Sequence, residues 1–299
     1  MLLALAVVIL AGACRTSVSD TPSAGAGLSV VAVEGFLADI AQNVAGSRAL
    51  VSTLIPSGVD PHAYEPTPGD LARVADSDVL IVNGAGLERF LTEMLRNAGG
   101  ERLVIEASAG LTSRSVPGSG EHEESDPHFW LDPSNVLRYV ENIRAGLSQV
   151  DPAGATTYDA NAKEYSARLK ELDQWIAAQV AAIPTGRRLL VTNHESLGYF
   201  ADRYGFRIVG SIIPSVSTDA SPSARQLAEL VDAVKAAGVR AVFLETGSNP
   251  RLAEQLAREA GIRVVTQLYT HSSGPGGGPA AGYIGMMEYD TRAIVDALK

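Results

Sequence analysis

Three of the chain's five histidines sit in settings suited to ligation. His62 lies in PSGVDPHAYEPTPGD, His128 in SDPHFWLDPSNV and His194 in VTNHESLGYF. Neutral imidazoles converging on one cleft would suit a borderline divalent ion such as Zn2+. Taken singly, a loop histidine is more often solvated or hydrogen-bonded than ligating. The pattern says more, because Asp60-Pro61-His62 and Asp126-Pro127-His128 repeat one acid-Pro-His order. Proline fixes φ and so stiffens the approach of a ligand loop. The single cysteine, Cys14, excludes an intramolecular disulfide, a Cys-rich zinc finger and an iron–sulfur site. Any metal site must therefore come from histidines and carboxylates. Spacing alone does not establish one.

The elements around these residues tell where they would stand. From Leu28 on, LSVVAVE (28–34), LVSTLI (50–55), DVLIVNG (78–84) and RLVIEAS (102–108) read as buried parallel strands. FLADIAQNVAG (36–46) and PGDLARVADS (68–77) carry apolar residues at helical spacing between them. The same grammar restarts with RRLLVTN (187–193), FRIVGSI (206–212), VRAVFLE (239–245) and IRVVTQL (262–268), with helical patterns at 223–237 and 250–260. The expected fold class is α/β, with two similar halves built on parallel sheets. Ligands in open α/β sheets collect beyond the carboxyl ends of strands. His62 and His194 would then face each other from two lobes, with His128 in the loop leading into the next helix.

Between the halves lies the longest helical pattern, roughly 153–183, whose Tyr165, Leu169, Leu172, Ile176 and Val180 form one apolar stripe. Pro184 and Gly186 end it. At 1.5 Å per residue such a helix is a rod of roughly 45 Å. A rod of that kind would restrict hinge motion between the lobes. The expected division is 28–150 for the N-terminal lobe, 151–184 for the linking helix and 185–299 for the C-terminal lobe.

Composition narrows the class. The 299 residues are 46% hydrophobic and carry a net charge of −10 without a basic run, which argues against nucleic-acid binding. Residues 1–13, MLLALAVVILAGA, form an uncharged apolar run too short to span a bilayer and read as a signal peptide. Ala11, Gly12 and Ala13 directly before Cys14 resemble a lipobox, so Cys14 is expected to carry a lipid and to open the mature chain. Residues 14–27 would be a flexible tether rich in Ser, Thr, Pro, Gly and Ala.

DPHAYEPTPGD, DPHFWLDP, NHESLGYF and GYIGMMEYD, in this order around a long central helix, resemble the metal-binding solute receptors of bacterial zinc/manganese ABC transporters, the cluster A-I or adhesin lipoproteins. The resemblance runs from about residue 28 to the C-terminus. It implies two (β/α)4 lobes joined by a backbone helix, the metal between them, and His62, His128 and His194 as three ligands. It also implies a membrane permease as partner, a lipid anchor on Cys14, and a monomer on the outer face of the cytoplasmic membrane, at the cell surface or in the periplasm. Aligned on Tyr283, Met286 and Met287, the family's acidic fourth position falls on Ala281, which cannot bind a metal. Water, Glu245 or His271 could stand in. A solvent-facing loop residue is the plainer reading of His271 in THSSGPGGGPAAG, and Glu245 could equally hold a ligand histidine in one tautomer. Nitrogen-rich ligation favours Zn2+ over Mn2+. The acidic stretch GEHEESD (120–126) reads as a solvated loop or a weak ion collector.

Two other classes compete with a receptor. Three histidines with an open position also describe a catalytic zinc, and Glu195 could be imagined as its base. There is, however, no H-E-x-x-H, no base for Ser196, no G-x-S-x-G elbow and no Walker A motif in the sequence. No enzyme is expected. A surface adhesin without a transport role is the third reading.

Overall fold

The computed structural model describes residues 27–116 and 124–299. The expected signal peptide, Cys14, nearly all of the tether and residues 120–123 of the acidic stretch lie outside the described residues.

The first half alternates β1 (Leu28–Ala32), α1 (Gly35–Ala45), β2 (Ala49–Thr53), α2 (Pro68–Ala75), β3 (Val79–Val82), α3 (Leu91–Ala98) and β4 (Leu103–Glu106). Its strands form a parallel sheet in the order β2-β1-β3-β4, with Val30 paired to Val51 on one side and Val79 on the other. All of β3, VLIV, is buried, as a strand covered by helices on both faces requires. Thr67 and Asp70 close a capping box on α2, and Pro68 occupies its first turn. A short antiparallel pair, β5 (Ser115–Val116) and β6 (Glu124–Ser125), precedes α4 (Pro133–Val150).

The linking helix follows as α5 (Ala155–Ala181), and Tyr165, Leu169, Leu172, Ile176 and Val180 are all buried along it. Its 27 residues make a rod of about 40 Å.

The second half runs β7 (Leu189–Thr192), α6 (Gly198–Tyr204), β8 (Arg207–Ser211), α7 (Ala224–Ala237), β9 (Ala241–Glu245), α8 (Arg251–Ala260), β10 (Arg263–Leu268) and α9 (Gly282–Leu298). Its parallel sheet has the order β10-β9-β7-β8. Gly238 and Gly261 stop α7 and α8 in the left-handed conformation, at φ of 69° and 70°.

α5 packs against α1, α4 and α9. One continuous apolar core includes Phe36 and Ile40 of α1, Tyr139 of α4, Leu172 of α5, Phe243 of β9 and Met286 of α9. The final helix thus returns to the first half, where the Tyr283 backbone N–H donates to Asp39 Oδ2 at 2.8 Å. The outer faces of the sheets have smaller cores of their own, around Leu80 and around Val242. No helix among the described residues is long and apolar enough to cross a membrane.

Candidate metal centre

Each histidine is delivered by a segment just beyond a strand. His62 sits in a single 3-10 turn, Pro61–Ala63, whose Asp60 side chain accepts the His62 backbone N–H at 2.9 Å. The other Asp60 oxygen accepts from Thr218 Oγ1 of the second half at 2.6 Å. Asp126 treats His128 in a similar way, accepting its backbone N–H at 3.0 Å and lying 2.8 Å from its Nδ1. Arg114 Nη1, 3.1 Å away, anchors that carboxylate from behind. The acid-Pro-His order visible in the sequence is therefore a support built twice: the acid fixes the turn that presents the ring.

His194 follows β7, and its Nδ1 lies 2.7 Å from Glu245 Oε1 at the end of β9, an ionic contact off the line of a well-formed hydrogen bond. Glu245 Oε2 lies 3.4 Å from Nδ1 of His271, and Ser196 Oγ donates to Oε1 at 3.1 Å. A carboxylate facing Nδ1 favours a proton there and leaves Nε2 free as a lone-pair donor. Glu245 serves two rings at once. It supports the centre rather than joining its nitrogens.

The structure brings His62, His128, His194 and His271 together, one ring nitrogen of each lying within 4.8 Å of the others. His128 Nε2 is 3.3, 3.2 and 3.3 Å from the Nε2 atoms of His62, His194 and His271. Tetrahedral Zn–N bonds of about 2.0–2.1 Å place neighbouring nitrogens roughly 3.3–3.4 Å apart. All six separations between the four ring centres fall between 5.0 and 5.4 Å. The rings therefore stand at the corners of a nearly regular tetrahedron.

His271 is the departure from the sequence reading. The loop position that looked solvent-facing is only 9% exposed, and its ring stacks on His194 with an interplanar angle of 22°. The cause is a bulge in β10: its pairing with β9 shifts between Val265 and Leu268, and Gln267 takes φ of 72°. The strand end is re-aimed inward, and Trp130 Nε1–H then pins it by donating to the Thr270 carbonyl at 2.7 Å. Ala281 stands at the N-cap of α9, outside the group of four. Glu195 accepts from Ser211 Oγ at 2.7 Å and is also outside it.

Burial drives the electrostatics. It pushes His62 down to about 2, helped by repulsion from His271 and His194, and holds His128 well below the usual imidazole range. Burial also opposes a proton on His194, but the Glu245 carboxylate outweighs it and raises that ring. Desolvation would raise Glu245, yet the imidazoles of His194 and His271 close beside it keep it below the ordinary carboxylate range. Burial pushes Asp126 up to about 6 against the His128 N–H and Arg114. His62 and His128, held neutral, and the anchored carboxylates behind the cluster form a nest suited to a divalent cation.

Comparisons with known proteins agree with this geometry. The family model described as zinc-uptake complex component A, periplasmic, matches residues 30–297. The manganese-binding lipoprotein MntA of Halalkalibacterium halodurans is 35% identical over 294 residues, covering 98% of this chain and 96% of that one. The Mn-bound periplasmic metal binding protein of candidatus liberibacter asiaticus superposes with a TM-score of 0.81 at 27% identity, over 90% of this chain and 99% of that one. The periplasmic zinc binding protein TroA of Treponema pallidum gives a TM-score of 0.82 at 28% identity, over 91% and 99%. Fold, site and relatives together define a metal-binding receptor of the ABC-uptake class, and not an enzyme. The chain belongs to the zinc-uptake complex component A family.

Proposed function

We propose that this receptor captures Zn2+ through the Nε2 atoms of His62, His128, His194 and His271. It would release the ion to an ABC permease from the outer face of the cytoplasmic membrane, held there by a lipid on Cys14. The observation that carries the reading is the tetrahedron of rings. With edges of 5.0–5.4 Å, its centre lies roughly 3.2 Å from each ring centre, the sum of a Zn–N bond of about 2.0–2.1 Å and roughly 1.1 Å from nitrogen to ring centre. Mn2+ prefers oxygen donors and octahedral geometry, and Cu2+ prefers a tetragonal arrangement. Four imidazoles without a carboxylate suit Mn2+ poorly, and their tetrahedral setting departs from the geometry of Cu2+, although Cu2+ binds nitrogen donors tightly.

A manganese cargo is the second reading, favoured by the manganese-binding name of the 35% identical relative. Competitive titration against a chromophoric chelator, with metal content by mass spectrometry, separates the two. One tight zinc, with manganese at least a thousandfold weaker, is the expected result. Manganese binding as tight as zinc binding would overturn the assignment while leaving the receptor class intact.

A further inference from the structure

The second sheet has its topological switch point between β7 and β9: β7 crosses over to β8 on one side and β9 to β10 on the other. Open α/β sheets bind ligands in the crevice at the carboxyl ends of such a pair. Here the crevice is a cavity of about 720 Å³, lined by Asn193 just after β7 and Thr246 just after β9. A volume of a few hundred Å³ is that of a site for a small organic molecule. The equivalent crevice of the first sheet, between β1 and β3, is filled from within by protein. There Glu34 is 2% exposed and Glu88 is 6% exposed, with Glu88 accepting the Asn83 and Gly84 backbone N–H groups at 2.5 and 3.1 Å.

The walls indicate a ligand class. Arg251 and Arg258, seven residues and two turns apart on α8, both line the cavity, with Gln255 between them. Among the described residues the Arg251 guanidinium has no ion pair, and Arg258 has only Glu254 at 4.0 Å. Three carboxylates line the cavity too, but Asp60 accepts from the His62 N–H and Thr218, Glu245 faces His194 and His271, and Glu254 lies by Arg258. The two guanidiniums keep free N–H groups that match the planar oxygens of carboxylates. At the rim stand Val59 from the first half and Leu252 from the second, 38% and 36% exposed, two apolar side chains suited to a short carbon skeleton. The inner end is formed by His271 and Glu245.

We propose that this crevice binds a small metal-chelating polycarboxylate, the carrier from which the ion is taken. The arginines hold carboxylate oxygens while the ion passes from those oxygens to the Nε2 atoms. The transfer is an exchange of ligands on one ion, without electron transfer. The carrier role rests on the metal reading; the binding of a carboxylate does not.

Citrate is the probe. Isothermal titration of the purified full chain, apo and zinc-loaded, would be run beside the double variant Arg251→Gln/Arg258→Gln after zinc stoichiometry has been measured for each protein. Both arginines are exposed, so the variant should keep its thermal midpoint and its zinc. Saturable one-to-one binding of citrate to the apo protein, weakened tenfold or more in the double variant, is expected. No saturable binding, or equal binding by the double variant, would overturn the proposal. A wild-type protein that binds citrate but no zinc would refute the metal reading and leave the crevice standing.

Discussion

Replacing His271 by alanine tests the site where sequence and structure diverged most. Its Nε2 lies 3.3 Å from that of His128, and its ring packs 5.1 Å from both His62 and His194. Closed four-ligand zinc sites are worth about 10–16 kcal/mol, so one nitrogen carries roughly 2.5–4 kcal/mol if the four share equally. A decade of affinity corresponds to about 1.4 kcal/mol. A water entering from the adjoining crevice recovers part of the loss. The expected outcome is zinc affinity lower by about thirtyfold to a few hundredfold, still one ion per chain, read by chelator competition at pH 7.5. Cobalt(II) absorption offers an independent check, because exchanging one nitrogen for water shifts the ligand-field bands. A loss of less than about threefold with unshifted bands would mean that His271 does not bind the ion.

Zinc affinity should rise with pH below the raised pKa of His194, whose ring must shed a proton to bind, while His62, held at about 2, and His128 are already neutral. An affinity unchanged between pH 5 and 7 would contradict that account. Asp290, pushed up to about 8 by burial, keeps in the folded state a proton that the unfolded chain releases from 3.8 upward. Folding stability should therefore fall as pH rises through that window. Asp290→Asn preserves an acceptor for the Tyr269 N–H at 2.9 Å and should flatten the fall in urea midpoints between pH 5 and 8. Gly247→Ala puts a Cβ 2.7 Å from the Gly58 carbonyl oxygen at φ of 84°. It should cost about 1–3 kcal/mol, seen as a lower thermal midpoint; an unchanged midpoint would show that the lobes part freely there.

Much of the fold was legible because its signals are local. β-branched runs such as VLIV at Val79–Val82 leave few options other than a buried strand, and the stripe from Tyr165 to Val180 fixes both the length and the inner face of α5. His62 and His128 could be singled out because acid-Pro-His writes the support next to the ring, and His194 because it stands just beyond the strand Leu189–Thr192. His271 lacked such a signature. Its place depends on the strained backbone at Gln267 and on the Trp130 indole, which holds Thr270 from 140 residues away in the chain. Aligning on Tyr283 pointed instead to Ala281, which caps a helix. The return of α9 to the first half was equally hidden, since Asp39 and Tyr283 meet across 244 positions. The short helices α3 and α6 were also missed: α6, 7 residues long, gives too few turns for periodicity to show, and α3, as long as the legible α2, opens without a capping side chain.

The strut formed by α5 has a kinetic consequence. Clamped by α1, α4 and α9 along a shared core, it resists bending and twisting, so a wide clamshell swing would have to tear packed side chains apart. The softer coordinate is at the other edge of the molecule, where a few turns hold the rings and the segment between β10 and α9 is rich in glycine. The time an ion dwells would then depend on the slackening of that short segment. A permease gripping both lobes would meet nearly the same outline whether the receptor is full or empty. It would have to sense cargo through the loops around the nest.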